Sequence, residues 1–302
     1  MSPEIRLIAS PNWTDYKLLD SGAGQKLERF GPYTFARPEA QALWSKALPP
    51  EKWEAAQAVF QPSGEESGGH WQFKEEVAER WEMNYGSLRF WVRNTHGRHL
   101  GVFPECAAHW DWIAGKIHQR MRKAGGSDSP VNVLNLFGYT GLASLAAATA
   151  GAKVTHLDAS KKSVTWAREN QQLSGLEDKS IRWIVDDATK FVQREARRGV
   201  KYDAICLDPP KFGRGPKGEV WEVNKSLPDL LQACRNILSE EPLFILLTVY
   251  AVKAPAVHLY AVMEEMMRGF TGELICGELV IRDESAGRLL SQATYARWES
   301  EG

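Results

Sequence analysis

The sequence predicts an α/β fold: a largely parallel sheet with helices on both faces, preceded by a smaller, mainly β domain. Three observations predict it. Short apolar runs recur through the later two thirds of the chain, helical patterns stand between them, and the first hundred residues are richer in Trp, Gly and Pro. Short apolar runs flanked by helical patterns are strands covered on both faces, and such strand–helix–strand units pair in parallel.

Residues 1–104 are read as the mainly β domain and 105–302 as the α/β domain. In the first, "LRFWVRN" (Leu88–Asn94) alternates with strand period, "SGEESGG" (Ser63–Gly69) reads as a loop, and a helix is expected around Pro38–Phe60. In the second, "AHWDWIAGKIHQRMRKA" has helical spacing and "GGSDSP" (Gly125–Pro130) ends it. The strands that follow are "VNVLNLF" (131–137), "KVTHLD" (153–158), "IRWIVD" (181–186), "YDAICLD" (202–208) and "LFILLTVY" (243–250). Helices are expected between them at Leu142–Ala150, Lys161–Leu173, Ala188–Arg198 and Ser226–Leu238. Two last alternating runs, "ELICGELVIRD" and "RLLSQATYARW", are joined by "ESAG" and read as an antiparallel pair. They complete a seven-stranded mixed sheet. A parallel sheet closed by such a hairpin has the outline of the class I methyltransferase (Rossmann-like) fold.

A chain of 302 residues can bury a sizeable core. No run of eighteen apolar residues appears, so no membrane partner is expected, and the start "MSPEIRLIASPNW" lacks a signal-peptide pattern. The net charge of −1 carries no global bias toward nucleic acid, so a polyanion would need a local basic patch. The 4 cysteines are scattered without a CxxC pair, which suits a reducing, cytoplasmic location.

Ligands of open parallel sheets sit beyond the carboxyl ends of the strands. The first strand ends in "NLFGYTG", where Gly138 and Gly141 let backbone approach a ligand ahead of a helix; the pattern is not G-x-G-x-x-G. Asp158 ends the second strand, in place to accept from ribose hydroxyls, with a helix cap as the alternative. Asp187 follows the third, and either accepts from an adenine amine or caps the next helix. The fourth ends in "ICLDPPKFGRGPKG" (Ile205–Gly218), where two prolines stop the strand at Asp208. Acidic strand ends beside a glycine turn suggest a nucleoside-bearing cofactor without a phosphate loop, and S-adenosylmethionine fits that description.

The stretch "VLNLFGYTGLASLAAATAGAKVTHLDASKKSVTWARENQQLSGL" and the later "DAICLDPPKF" resemble the bacterial large-subunit ribosomal RNA methyltransferases, over about Val131–Gly213. "GVFPECAAHW" is similar to that family's cofactor-entry segment, with Glu105 and His109 departing from its usual G-x-F/Y-x-D-Q-R. The resemblance implies S-adenosylmethionine as cofactor and ribosomal RNA as partner. It implies that Asn135, Phe137, Gly138 and Gly141 line the methionine end, with Tyr139 and Thr140 also among the cofactor-binding residues. It assigns the ribose to Asp158, the adenine edge to Asp187 and closure of the pocket to Phe103, with Ala159 and Ala188 also among the cofactor-binding residues. Asp208, Pro209 and Pro210 would face the methyl acceptor, with Asp208 also bordering the cofactor.

Beside that turn, Phe212 can stack on a flipped base, while Lys211, Arg214 and Lys217 can hold phosphates. The alternatives are a Phe212 packed on the core and a solvated loop. Methylating carbon 5 of cytosine needs a cysteine thiolate, and "LLTVYAV" at the end of the fifth strand offers Tyr250 and no cysteine. Cys206 reads as core, which favours an amine or ring nitrogen, or an acceptor outside RNA, over carbon 5 of cytosine. Other readings keep the chemistry on a protein side chain or small molecule, or keep only RNA binding. His96, His99, Cys106 and His109 have zinc-like spacing, but they lie in the cofactor-entry segment and no metal is expected.

Overall fold

The computed structural model describes residues 3–63, 68–123, 130–250 and 255–301. Of the expected loop Ser63–Gly69, residues 64–67 lie outside them, as do 125–129 of the helix-ending stretch and 251–252 after Tyr250. The chain forms two compact units, one of Ala9–Ala108 with Val280–Gln292, the other of Met1–Ile8, His109–Leu279 and Ala293–Gly302.

In chain order the first elements are β1 (Ile5–Ala9), β2 (Tyr16–Gly22), β3 (Gln25–Phe30), β4 (Tyr33–Pro38), α1 (Pro50–Glu54), β5 (Ala58–Pro62), β6 (Gly69–Phe73), β7 (Arg80–Tyr85) and β8 (Leu88–Arg93). Strands β2 to β6 form one sheet in sequence order and β7–β8 form a ribbon. Aromatic side chains fill this unit, with Phe30, Phe35 and Phe90 fully buried. The helix expected around Pro38–Phe60 shrinks to the five residues of α1. Two forces oppose a longer one. The buried Asp20 carboxylate accepts from the backbone N–H groups of Ala47 (3.0 Å) and Leu48 (2.8 Å), which holds that stretch irregular. Residues from Ala58 onward are claimed by parallel pairing of β5 with β4.

The second unit is built from α2 (Ala107–Lys123), β9 (Asn132–Leu136), α3 (Leu142–Thr149), β10 (Lys153–Asp158), α4 (Lys161–Leu173), β11 (Ile181–Val185), α5 (Ala188–Arg197), β12 (Ala204–Leu207), β13 (Phe212–Arg214), β14 (Val220–Glu222), α6 (Val223–Arg235), β15 (Phe244–Val249), α7 (Ala256–Met266), β16 (Gly272–Arg282) and β17 (Leu289–Ser300). Its sheet runs β1-β16-β17-β15-β12-β9-β10-β11. The five central strands are parallel and β17 is antiparallel to β15. Eight strands replace the seven expected. The extra edge strand, β1, pairs with residues far along the chain, and its approach requires a glycine: a Cβ at Gly277 would lie 1.7 Å from the Arg6 carbonyl oxygen.

Both faces of the central strands are covered. Leu134, Leu136, Ile205, Leu207, Ile245 and Leu247 join the core under α5, α6 and α7. Val133, Ala204, Cys206, Phe244 and Leu246 join the core on the opposite face with Ile113 and Ile117 of α2. This two-sided burial is why the runs read as continuously apolar. Helix α6 starts and ends about one turn earlier than the sequence suggests, because Leu238 is taken by a bridge to Tyr202. Helix α7 was not anticipated from its pattern.

Candidate active site

Strand order reverses at β9, with β10 on one side and β12 on the other. That switch brings the carboxyl ends of β9, β10, β11 and β12 to one edge, the usual ligand position of such sheets.

The turn after β9 is strained. Phe137 (φ 58°) and Tyr139 (φ 48°) both occupy the left-handed region, and Gly141 follows at φ 87°. Each non-glycine residue there costs about 1–2 kcal/mol, so the surroundings must hold the turn. They do so through the backbone. Gly138 N–H donates to the Leu157 carbonyl (3.0 Å), Tyr139 N–H to Asp158 Oδ2 (3.0 Å), and Asn170 Nδ2 to the Thr140 carbonyl (2.9 Å). Burial, with Asp158 nearby, pushes the Tyr139 phenol up to about 12.

Behind the turn lies a buried polar cluster. In the sheet register Asn135 stands between His156 and Cys206. Asn135 Nδ2 donates to Ser144 Oγ (2.9 Å), which in turn lies 3.0 Å from His156 Nδ1. Burial pushes His156 down to about 3, so it is neutral, and its ring centre lies 4.7 Å from that of Trp183. This ring explains Gly138: a Cβ there would lie 2.4 Å from His156 Cε1 and 3.0 Å from Asn135 Nδ2. We expect Gly138→Ala to destabilise the protein by about 1–3 kcal/mol and to weaken cofactor binding, measured by thermal melting and calorimetry. An unchanged melting temperature would refute the close packing.

Asp158 is largely buried, which raises its carboxyl, while N–H groups of Ser160 (2.8 Å to Oδ1) and Tyr139 pull the other way. A carboxylate has about four acceptor positions, so two remain for hydroxyl donors. The capping alternative for Asp158 is filled by Ser160, whose hydroxyl accepts from Ser163 N–H (3.2 Å). Ala159 is half-buried between them. Asp187 is the N-cap of α5, its Oδ1 accepting from Lys190 N–H at 2.9 Å, and Ala188 begins that helix, buried. Asp186 accepts from Asp187 N–H (2.9 Å) and pairs with Arg194.

At the end of β12, Asp208 N–H donates to the Leu136 carbonyl at 3.4 Å. Pro209 is buried and Pro210 exposed. Beyond the prolines the chain forms a hairpin, β13 paired with β14. Its inner positions are Gly213 and the buried Trp221, whose indole N–H donates to the Pro210 carbonyl (2.7 Å) and whose ring centre lies 4.9 Å from that of Phe137. Its outer face carries Phe212 opposite Glu222 and Arg214 opposite Val220. Phe212 is 59% exposed, so it is no core residue, and the Lys211 ammonium lies 5.4 Å from its ring centre. Arg214 and Lys217 are exposed too. Burial, then the neighbouring Asp208, push the Cys206 thiol up to about 12.

Phe103 lies in the mainly β unit, half-buried at the start of the single turn Pro104–Cys106, with its ring centre 5.1 Å from that of His99. Among the described residues no group of three or more His, Cys, Asp or Glu is placed to hold a metal ion, and no disulfide links the four cysteines. Sequence reasoning passed over Ser144, His156, Asn170 and Trp221. His156 left a trace as the polar residue inside "KVTHLD"; Trp221 left none.

The strand-end set suits a nucleoside with a sulfonium side chain: carboxylates for hydroxyl and amine donors, and a tight backbone turn with no lysine-bearing phosphate loop. Comparison with known proteins agrees. The family model of S-adenosylmethionine-dependent methyltransferases matches residues 48–269. The crystal structure of the SAM-dependent methyltransferase from Agrobacterium tumefaciens is 47% identical, with TM-score 0.91, over 98% of this chain and 94% of that one. A candidate SAM-dependent methyltransferase from Streptococcus mutans shares the fold at 18% identity and TM-score 0.69, over 95% of this chain and 76% of that one. The Shewanella frigidimarina (strain NCIMB 400) protein named ribosomal RNA large subunit methyltransferase K/L is 37% identical over 125 residues. That match covers 40% of this chain and 17% of the relative, so the chain spans well under two thirds of the length of the curated relatives it matches. No helix among the described residues is long and apolar enough to cross a membrane. With its family model matched over most of its length, the chain belongs to the S-adenosylmethionine-dependent methyltransferases and is a methyltransferase enzyme.

Proposed function

We propose that this enzyme methylates a nitrogen of a base in ribosomal RNA, with Asp208, Pro209 and Pro210 forming the acceptor turn. The observation that carries this reading is the exposed Phe212 beside Lys211 and Arg214, on a hairpin rooted in the Asp-Pro-Pro turn. An exposed aromatic flanked by cations is suited to an unstacked base and its phosphates.

When bound, S-adenosylmethionine supplies a methyl group already activated on a sulfonium. The chain's own residues bind, align and manage one proton. Asp158 offers its two remaining acceptor positions to the ribose, and Asp187, which caps α5 through Oδ1, offers its remaining positions to the adenine edge beside Ala188. Asn135, Phe137, Gly138, Tyr139, Thr140 and Gly141 shape the methionine end. The Asp208 carboxylate accepts a hydrogen bond from the acceptor nitrogen and orients its lone pair. As the N–C bond forms, with the cofactor's S–C bond broken to leave a neutral thioether, the carboxylate would take up the N–H proton of that nitrogen. The two prolines after Asp208 limit the backbone freedom of the turn. Carbon methylation of cytosine is disfavoured by Cys206, whose thiol, near 12, yields almost no thiolate at neutral pH.

Two further observations support RNA. The Shewanella relative is named for ribosomal RNA. In the mainly β unit, the β7–β8 ribbon sets Arg80 opposite Arg93 and Asn84 opposite Arg89, with the Arg80 guanidinium 4.5 Å from the centre of Trp91. We assign a substrate-recognition role to this N-terminal region.

The test is transfer of tritium from labelled S-adenosylmethionine into an extract of cells lacking the protein, followed by nuclease or protease digestion. Release of label by nuclease is expected; release by protease alone would move the acceptor to protein, and label in neither polymer would move it to a small molecule. On the purified enzyme, Lys211→Glu, Arg214→Glu and Lys217→Glu together should lower RNA affinity and flatten its salt dependence, by about one unit of slope for each phosphate no longer held. Unchanged RNA binding would exclude the hairpin as the contact surface.

A further inference from the structure

Trp221 joins the inner side of the hairpin that carries Phe212 to the cofactor turn. Its ring rests against Phe137, whose left-handed backbone belongs to the strained turn after β9. Its indole N–H holds the carbonyl of Pro210, the last residue of the acceptor turn. Opposite it on β13 stands Gly213, where a Cβ would make ordinary contacts with Pro210 Cγ (3.4 Å) and Trp221 Cβ (3.7 Å). At the far end of the hairpin, Glu219 pairs with Lys190 (2.6 Å) in the first turn of α5, the helix capped by Asp187. The acceptor platform therefore touches the cofactor elements at both ends, but Trp221 does so through buried, directional contacts and the Glu219–Lys190 pair through an exposed ammonium.

We propose that Trp221 is a positioning residue that couples cofactor occupancy to the acceptor platform. A bound cofactor holds the strained turn in its left-handed form and so fixes the Phe137 ring. Trp221 packs on that ring and restrains Pro210, and the hairpin bearing Phe212 and Arg214 becomes stiffer. By linkage the effect runs both ways: an acceptor that settles on the platform tightens cofactor binding by the same factor. This rests on the cofactor site at the strand ends, and it needs no knowledge of the acceptor.

Hydrogen exchange of the full-length enzyme, with and without saturating S-adenosylhomocysteine, tests it. In the wild type, exchange across residues 212–222 should slow at least about fivefold on binding, a typical lower bound for coupled sites. Trp221→Phe keeps an aromatic ring and removes the N–H donor. It should bind S-adenosylhomocysteine within about threefold of wild type while losing most of the hairpin response, since the surviving ring contact no longer holds the Pro210 carbonyl. A merely structural role would lower the melting temperature of Trp221→Phe yet leave the ligand-dependent difference intact, which would overturn the proposal. Wild-type exchange at 212–222 that ignores a bound ligand would overturn it without any variant. Calorimetry separates the two levels: absence of S-adenosylhomocysteine binding sinks the cofactor site and the coupling together, whereas binding with a silent hairpin sinks the coupling alone.

Discussion

Replacing Asp208 by alanine is expected to lower turnover by about 100- to 10,000-fold, the range of a positioned proton-handling group, while leaving cofactor affinity within about threefold. Asp208 sits where β12 gives way to two prolines, with its backbone fixed by the Leu136 carbonyl. Alanine keeps that backbone but offers nothing to the acceptor nitrogen. Asp208→Asn keeps the shape and one acceptor oxygen without the negative charge, so it should fall between the two. Single-turnover tritium transfer at saturating cofactor, paired with calorimetry of S-adenosylhomocysteine, measures both quantities. Retained methylation by the alanine variant would remove Asp208 from the chemistry, and loss of cofactor binding would reassign it to the cofactor site.

Asp158→Ala is expected to have the opposite profile. Charge-assisted hydrogen bonds are worth about 1.5–3 kcal/mol each, so removing the ribose contacts should weaken cofactor binding by at least about 10- to 150-fold. The effect should exceed that of the ribose bonds alone, because the N–H groups of Tyr139 and Ser160 lose their acceptor and the strained turn loses one restraint. Turnover at saturating cofactor should change by less than about fivefold, since Asp158 does not handle the transferred group. Asp158→Asn, with one carbonyl oxygen, should recover part of the affinity. Calorimetry that finds wild-type affinity in the alanine variant would end the ribose assignment.

Much of this fold was legible in the chain because its central strands are local, continuous and buried on both faces. "VNVLNLF", "KVTHLD" and "YDAICLD" need no partner to be seen as strands, and the breaks after them are written in Gly, Asp and Pro. Legibility failed where long-range pairing decides. β1 is five residues whose partner, β16, lies at the other end of the chain. The stretch before α1 depends on Asp20 reaching forward to Ala47 and Leu48. Helix α7 has a pattern that is apolar nearly all round, so no single face marks it.

The candidate site divides in the same way. Sequence alone determined which residues end the parallel strands, because strand ends are set by local breakers: Gly138 and Gly141, Asp158, Asp187, and Asp208 with its prolines. Only the tertiary structure decided what holds them. Trp221 belongs to a three-residue strand that folds back on the Asp-Pro-Pro turn, and His156 meets Gly138 only through the register of β10 on β9. Left-handed backbone at Phe137 and Tyr139 has no sequence signature either, since it persists only because the surrounding contacts outweigh its strain.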